Sequence, residues 1–150
     1  MSKRGVCSIG LWNPKNYLNV GSVLRAASCY DADLIAIQGR RFKVAATDTT
    51  KGFLHKPLIE TDDLFEVIPY GSVPVAIEFI SSARSLPTYT HPPRAFYIFG
   101  PEDSSLSKSV LDRCRDVVYV PTEYCMNLAA TVNVLLYDRA TKLNGFKQAA

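Results

Sequence analysis

The chain has 150 residues, enough for one domain with a core of its own, and its 47% apolar and 21% charged residues exclude a disordered chain. A net charge of +3 permits an acidic partner such as RNA without requiring one. Cys7, Cys29, Cys114 and Cys125 form no C-x-x-C pair, the only histidines are His55 and His91, and no long apolar run is present; zinc, a secretory leader and a membrane span are therefore not expected, and a reducing cytoplasm is.

Val6–Leu11 reads as the first strand, a compact apolar run between Gly5 and the turn cluster Trp12-Asn13-Pro14-Lys15-Asn16. Asn13–Leu18 is a turn. A helix is expected from Asn19, its N-cap, with Val20, Val23, Leu24, Ala27 and Tyr30 on one face. Asp31-Ala32-Asp33 ends it, and Leu34–Gln38 is the second strand, completing a β-α-β unit with parallel strands. The stretch from Gly39 to Asp63 lacks periodicity apart from a short helix expected at Val44–Thr49. Asp62 or Asp63 would cap a short helix ending at Ile68, and Val73–Ile80 is the third strand. A Pro-rich connector leads to a fourth strand, Ala95–Phe99, then a helix, Ser107–Arg115, and a fifth strand, Val117–Val120. Leu128–Leu143 is the final helix, with Gly145 as its stop. The alternation implies a single α/β domain with a mainly parallel sheet flanked by helices. Apolar stripes on its first and last helices would be partly exposed, which favours self-association.

Parallel strands place their carboxyl ends on one edge, where open α/β sheets bind ligands. Three loops reach that edge with polar groups. In Asn19-Val20-Gly21-Ser22-Val23-Leu24-Arg25 the helix start and Arg25 suit an anion, although a capped helix with an exposed arginine is the simpler local reading. In Phe99-Gly100-Pro101-Glu102-Asp103 the glycine permits close backbone approach, and Glu102 either accepts a hydrogen bond from a ligand hydroxyl or caps the next helix. In Tyr124-Cys125-Met126-Asn127-Leu128-Ala129-Ala130, Asn127 is an N-cap, a ligand-holding amide, or both. Gly39-Arg40-Arg41-Phe42-Lys43 is a basic cluster fit for a phosphate backbone, or a solvated loop. Neither a dinucleotide fingerprint nor a Walker A loop occurs.

Together, Asn19-x-Gly21-x-x-x-Arg25, Phe99-Gly100-Pro101-Glu102 and Met126-Asn127-Leu128-Ala129-Ala130 resemble the three ordered motifs of the SpoU/TrmH-type RNA 2′-O-ribose methyltransferases of the SPOUT superfamily, over nearly the whole chain. The resemblance implies a C-terminal trefoil knot, which physical rules would otherwise exclude by default. It implies a homodimer, S-adenosylmethionine as methyl donor, and no metal. By position, Gly100, Val120, Cys125, Met126, Leu128 and, more loosely, Ile77 would hold the donor, and Arg25, Asn19, Glu102 and Asn127 would act in catalysis or substrate positioning. Arg25 stays protonated in proteins, so its expected role is to hold a phosphate and a developing alkoxide rather than to remove a proton. Arg25, Arg40, Arg41 and Lys43, with Lys3 and Arg4, are the expected RNA contacts. No separate RNA-binding extension is expected, and this minimal form resembles family members acting on the tRNA wobble nucleotide; ribosomal RNA is the alternative substrate. Cys125 and Ala129 stand where the family commonly has serines, and this departure supports a competing expectation, a non-catalytic RNA-binding adapter that keeps the knot.

Overall fold

The computed structural model describes residues 5–39 and 56–143, and the expected Val44–Thr49 helix and the Gly145 stop lie outside them. Strand β1 (Val6–Trp12) alternates two kinds of side chain. Cys7, Ile9 and Leu11 point into one apolar cluster, while Gly10 faces another on the opposite side. Such a strand must be covered on both faces, and it sits inside the sheet between β2 (Leu34–Gln38) and β6 (Arg94–Phe99). With β3 (Leu58–Thr61), β4 (Val73–Ile77), β5 (Arg84–Ser85) and β7 (Asp116–Tyr119), the described residues form a seven-stranded sheet of order β3-β2-β1-β6-β4-β7-β5. Every recorded pairing is parallel.

Helices α1 (Tyr17–Cys29) and α3 (Leu128–Lys142) cover one face. Val20, Val23, Leu24, Ala27, Leu128, Val132, Leu135 and Leu136 pack there against Ile9, Leu11, Ile35, Val75, Tyr97 and Phe99. The other face is covered by a 3-10 turn at Leu64–Val67 and by α2 (Lys108–Arg113), with Leu64, Leu106 and Val110 on Ala36, Ala76, Phe96 and Ile98. Gly10 matters to this layer: a Cβ there would lie 2.6 Å from Cε1 of Phe96, so the bare backbone leaves room for the ring.

Several boundaries differ from the sequence reading. Helix α1 begins at Tyr17 and its N-cap is Asn16, whose side chain accepts from the Leu18 amide at 2.8 Å. The turn therefore ends earlier than expected, and Asn19 lies within the helix with its side chain released from capping. Two strands were not expected. β3 has a polar Glu60 among its four residues, and β5 has only two residues; both are too short to show a period. β4 stops at Ile77 rather than Ile80, and β7 runs one residue earlier than expected. Asp63 does cap the 3-10 turn, accepting from Phe65 N at 3.0 Å. Consecutive β6 and β7 are not neighbours, because β4 lies between them. The carboxyl ends of β1, β6, β4 and β7 still share one edge, in register through Leu11, Phe99, Ile77 and Val118.

Candidate active site

Three loops meet at that edge. The first, after β1, ends in the Asn16 cap and presents Asn19 from the first turns of α1. The second, after β6, carries Glu102. The third, after β7, ends in Asn127, the N-cap of α3.

A hydrogen-bonded chain ties them together, and its direction can be read from one end. Asn127 Oδ1 accepts from Ala129 N at 2.8 Å and from Ala130 N at 3.3 Å, so the carbonyl side of that amide must face the helix. Its Nδ2 then faces outward and donates to Asn19 Oδ1 at 2.9 Å. Asn19 Nδ2 is in turn directed to Glu102 Oε1 at 3.2 Å. Glu102 Oε2 accepts from the Lys15 amide at 2.8 Å, which joins the β6 loop back to the β1 loop. Asn127 is both cap and connector. Glu102 caps no helix, since Ser107 caps α2. Its carboxylate keeps lone pairs free for a further donor on an exposed surface, beside an open groove lined by Lys15, Asn16, Tyr17, Asn19, Glu102 and Asp103.

A cleft of about 340 Å³ opens next to this network, between the ends of β4 and β7 and the loop before α3. Of the residues expected to hold the donor, Ile77, Val120, Cys125 and Met126 line it. Gly100 and Leu128 do not. Leu128 is buried in the α1/α3 core. Gly100 lies under its own loop, where a Cβ would come within 3.2 Å of Leu106 Cγ and 3.3 Å of Leu106 N. Glu78 was not singled out in the sequence. It follows β4 on the cleft wall, and its carboxylate accepts from Leu106 N at 2.9 Å and Phe79 N at 3.1 Å, fastening the β6 loop to the end of β4. A carboxylate placed directly after an apolar strand is its signal in the sequence.

Arg25 lies on α1 and is exposed, and among the described residues it is not a hydrogen-bond partner of Asn19, Glu102 or Asn127. The helix brings Asn19 into the network and leaves Arg25 outside it. Arg40, Arg41, Lys43, Lys3 and Arg4 lie outside the described residues. Cys125 is exposed on the cleft and takes no part in the Asn127–Asn19–Glu102 chain.

A second polar cluster sits at the other end of the sheet and holds α3 in place. Arg139, buried, donates to Pro92 O at 2.7 Å, Pro93 O at 2.9 Å and Tyr97 Oη at 2.9 Å. The Asp138 carboxylate accepts from His91 Nε2–H at 2.7 Å, and with the His91 pKa lowered the ring's bare Nδ1 accepts from Tyr97 Oη at 2.7 Å. This direction makes His91 a neutral Nε2–H tautomer. Burial, the largest influence, lowers its pKa, opposed by the hydrogen bond and charge of Asp138 and reinforced by Arg139 and Lys142. Burial likewise raises the Tyr97 and Tyr89 phenols, and it raises the Cys114 thiol to about 11, which leaves that cysteine an inert thiol.

The fold has solved counterparts. One, a structure described as "Structural insights into the 2-OH methylation of C/U34 on tRNA", superposes with a TM-score of 0.81 at 22% identity, covering 94% of this chain and 92% of that one. The SpoU methyltransferase AviRb from Streptomyces viridochromogenes, in complex with AdoMet, gives 0.82 at 17% identity over 95% of this chain and 59% of its own. The A. aeolicus TrmH/SpoU tRNA modifying enzyme gives 0.80 at 14% identity, over 95% and 78%. No curated protein sequence matches significantly. The model of the SpoU rRNA Methylase family matches residues 7–137, a span that includes every residue of the Asn127–Asn19–Glu102 network, and the chain belongs to that family.

Proposed function

We propose that the chain transfers a methyl group from S-adenosylmethionine to a ribose 2′-hydroxyl of RNA, with tRNA as the substrate and its wobble nucleotide as the first position to test. The observation that carries this reading is the Asn127–Asn19–Glu102 chain. It joins three sequence-distant loops beside a cleft of a size for a small ligand. The neighbour concerned with C/U34 of tRNA supports the substrate, and the AdoMet-bound AviRb supports the donor.

The cleft suits the donor chemically. Ile77, Val120 and Met126 offer an apolar surface for a flat base, Glu78 and Glu123 offer carboxylates to a cationic group, and Thr122 and Thr131 offer hydroxyls. When bound, S-adenosylmethionine supplies an electrophilic methyl on a sulfonium centre. The chain's own groups do the positioning. Glu102 accepts the hydrogen bond of the ribose hydroxyl and aims its lone pair; Asn19 and Asn127 hold the carboxylate in place. Arg25 takes the adjacent phosphate and steadies the developing alkoxide, and the hydroxyl proton leaves along its hydrogen bond to the Glu102 carboxylate. Burying the donor in a C-terminal trefoil knot, and pairing two chains through α1 and α3, belong to the same proposal. Tyr17, Leu18, Val134 and Tyr137 are exposed on those helices and support the pairing.

Cys125 lies outside the positioning network, so its departure from the family's serine leaves that network whole, and the enzyme reading is preferred to the adapter. The test is incubation of the purified chain with methyl-labelled S-adenosylmethionine and total tRNA or, in parallel, ribosomal RNA, followed by nucleoside mass spectrometry. One labelled 2′-O-methylnucleoside is expected. Label in ribosomal RNA alone would move the substrate, and no label in either RNA, with no donor binding by calorimetry, would overturn the enzyme reading.

A further inference from the structure

Phe79 and Tyr124 are left 77% and 83% exposed, and both line the mouth of the cleft. They come from separate elements, one after β4 and one in the loop between β7 and α3. Single exposed aromatics are ordinary; two converging on one opening are not so easily dismissed. Both are also held. Phe79 N donates to Glu78 Oε1 at 3.1 Å, and the ring stands nearly perpendicular to that of Tyr119, at 87° with centroids 5.3 Å apart. The Thr122 hydroxyl donates to the Tyr124 carbonyl at 2.7 Å, fixing the backbone that bears that ring. An aromatic side chain on a fixed backbone loses little freedom when a flat partner settles on it.

We propose that Phe79 and Tyr124 are a stacking platform for an unpaired nucleobase of the RNA, next to the nucleotide whose ribose reaches Glu102. The inference rests on the RNA methyltransferase reading above and adds to it the recognition of single-stranded RNA. The position of the rings favours an RNA base over the donor's own base. Ile77, which also lines the cleft, is buried, whereas the two rings stand out at the rim. Tyr124 also lies three residues before Asn127, so the loop that bears it runs directly into the positioning network. An RNA strand presenting a ribose to Glu102 and Asn19 therefore passes beside Tyr124. Stacking accepts any base but needs it unpaired, so the platform selects a splayed loop over a duplex.

The experiment uses the full chain and Phe79→Ala, Tyr124→Ala, Phe79→Tyr and Tyr124→Trp. Donor affinity is read by calorimetry with S-adenosylmethionine alone. RNA affinity is read over a salt series with a hairpin carrying 2-aminopurine in its loop. Wild-type binding to donor and hairpin tests the functional reading itself, and the variants are compared only against that baseline. Each alanine variant is expected to weaken hairpin binding by about fivefold to a hundredfold, to lose quenching of the 2-aminopurine, and to leave the salt slope unchanged. Donor affinity is expected to stay within about twofold, and the Tyr and Trp variants to keep hairpin binding, since both can stack. Weaker donor binding with unchanged hairpin binding would assign the rings to the donor's base and overturn the proposal. Unchanged hairpin affinity and quenching in both alanine variants would also overturn it.

Discussion

Asn127 and Asn19 lie 108 positions apart and are joined by one 2.9 Å hydrogen bond, in which the N-cap of α3 donates to a side chain on α1. Its direction follows from the cap: Oδ1 is committed to the first turn of α3, so only Nδ2 remains for Asn19. Helix capping and site assembly are therefore functions of one amide.

The two functions can be separated. Asn127→Ala should lower stability by about 1 kcal/mol through the lost cap and should also abolish methyl transfer. Asn127→Asp keeps a capping oxygen but has no N–H for Asn19. Its melting temperature should stay near that of the parent while turnover falls by tenfold or so, on the order of 1.4 kcal/mol. Thermal unfolding beside a labelled-methyl assay reads both quantities. An Asn127→Asp chain with full activity would remove Asn19 from the mechanism.

Glu102→Gln is nearly isosteric but loses the charge and half of the acceptor capacity. The exposed position makes a large stability change unexpected, within about 0.5 kcal/mol. Methyl transfer should fall by roughly tenfold to a hundredfold, with S-adenosylmethionine affinity unchanged, because Glu102 lies outside the donor cleft. A rise in the donor Kd alone would place Glu102 in donor binding instead.

Glu78→Ala should act on the cleft through the backbone. It leaves the part-buried Leu106 amide without its acceptor at 2.9 Å, a loss of about 1–2 kcal/mol, and frees the β6 loop from the end of β4. Donor affinity should weaken with stability. Calorimetry and denaturant unfolding on the same preparation check the pairing, and Glu78→Gln, which keeps one acceptor for the Leu106 amide but loses the charge, should restore most of the stability and less of the donor affinity.

Stability should fall as the medium is acidified from neutral. The folded-state pKa of His91 is depressed below 6.5, mainly by burial. The unfolded chain thus takes up the proton first, and the contribution of neutral His91 is fully present above pH 6.5 and lost as pH falls toward the folded value. Tyr97, Asp138, Arg139, Lys142 and the ring of Tyr89 surround this group. Denaturant midpoints at pH 8, 7, 6 and 5 for the parent and His91→Gln test the sign: the parent should lose stability in the window below pH 6.5 more steeply than the variant, in which the titrating ring is gone.

Much of this molecule could be read from its residues in order. The buried runs Val6–Leu11, Leu34–Gln38 and Ala95–Phe99 had to be covered on both faces, which means parallel strands between helices, and the apolar stripes of α1 and α3 marked the helices that cover one of them. Asn127 was legible as a cap because the apolar periodicity of α3 begins right after it. Other features depended on contacts between distant segments. Asn16, not Asn19, caps α1, and two asparagines three residues apart before an apolar stripe look alike until the partner of each is known. The two short strands β3 and β5 exist through their pairing with β2 and β7, since runs of four and two residues have no period of their own. Glu78 gained its role only when β4 was inserted between β6 and β7 and brought it against Leu106. Local sequence determines which groups are polar, which are apolar and where a helix can begin, because these depend on the residue and its near neighbours. Which amide faces which carboxylate is set by the order of strands in the sheet, a long-range choice made by packing.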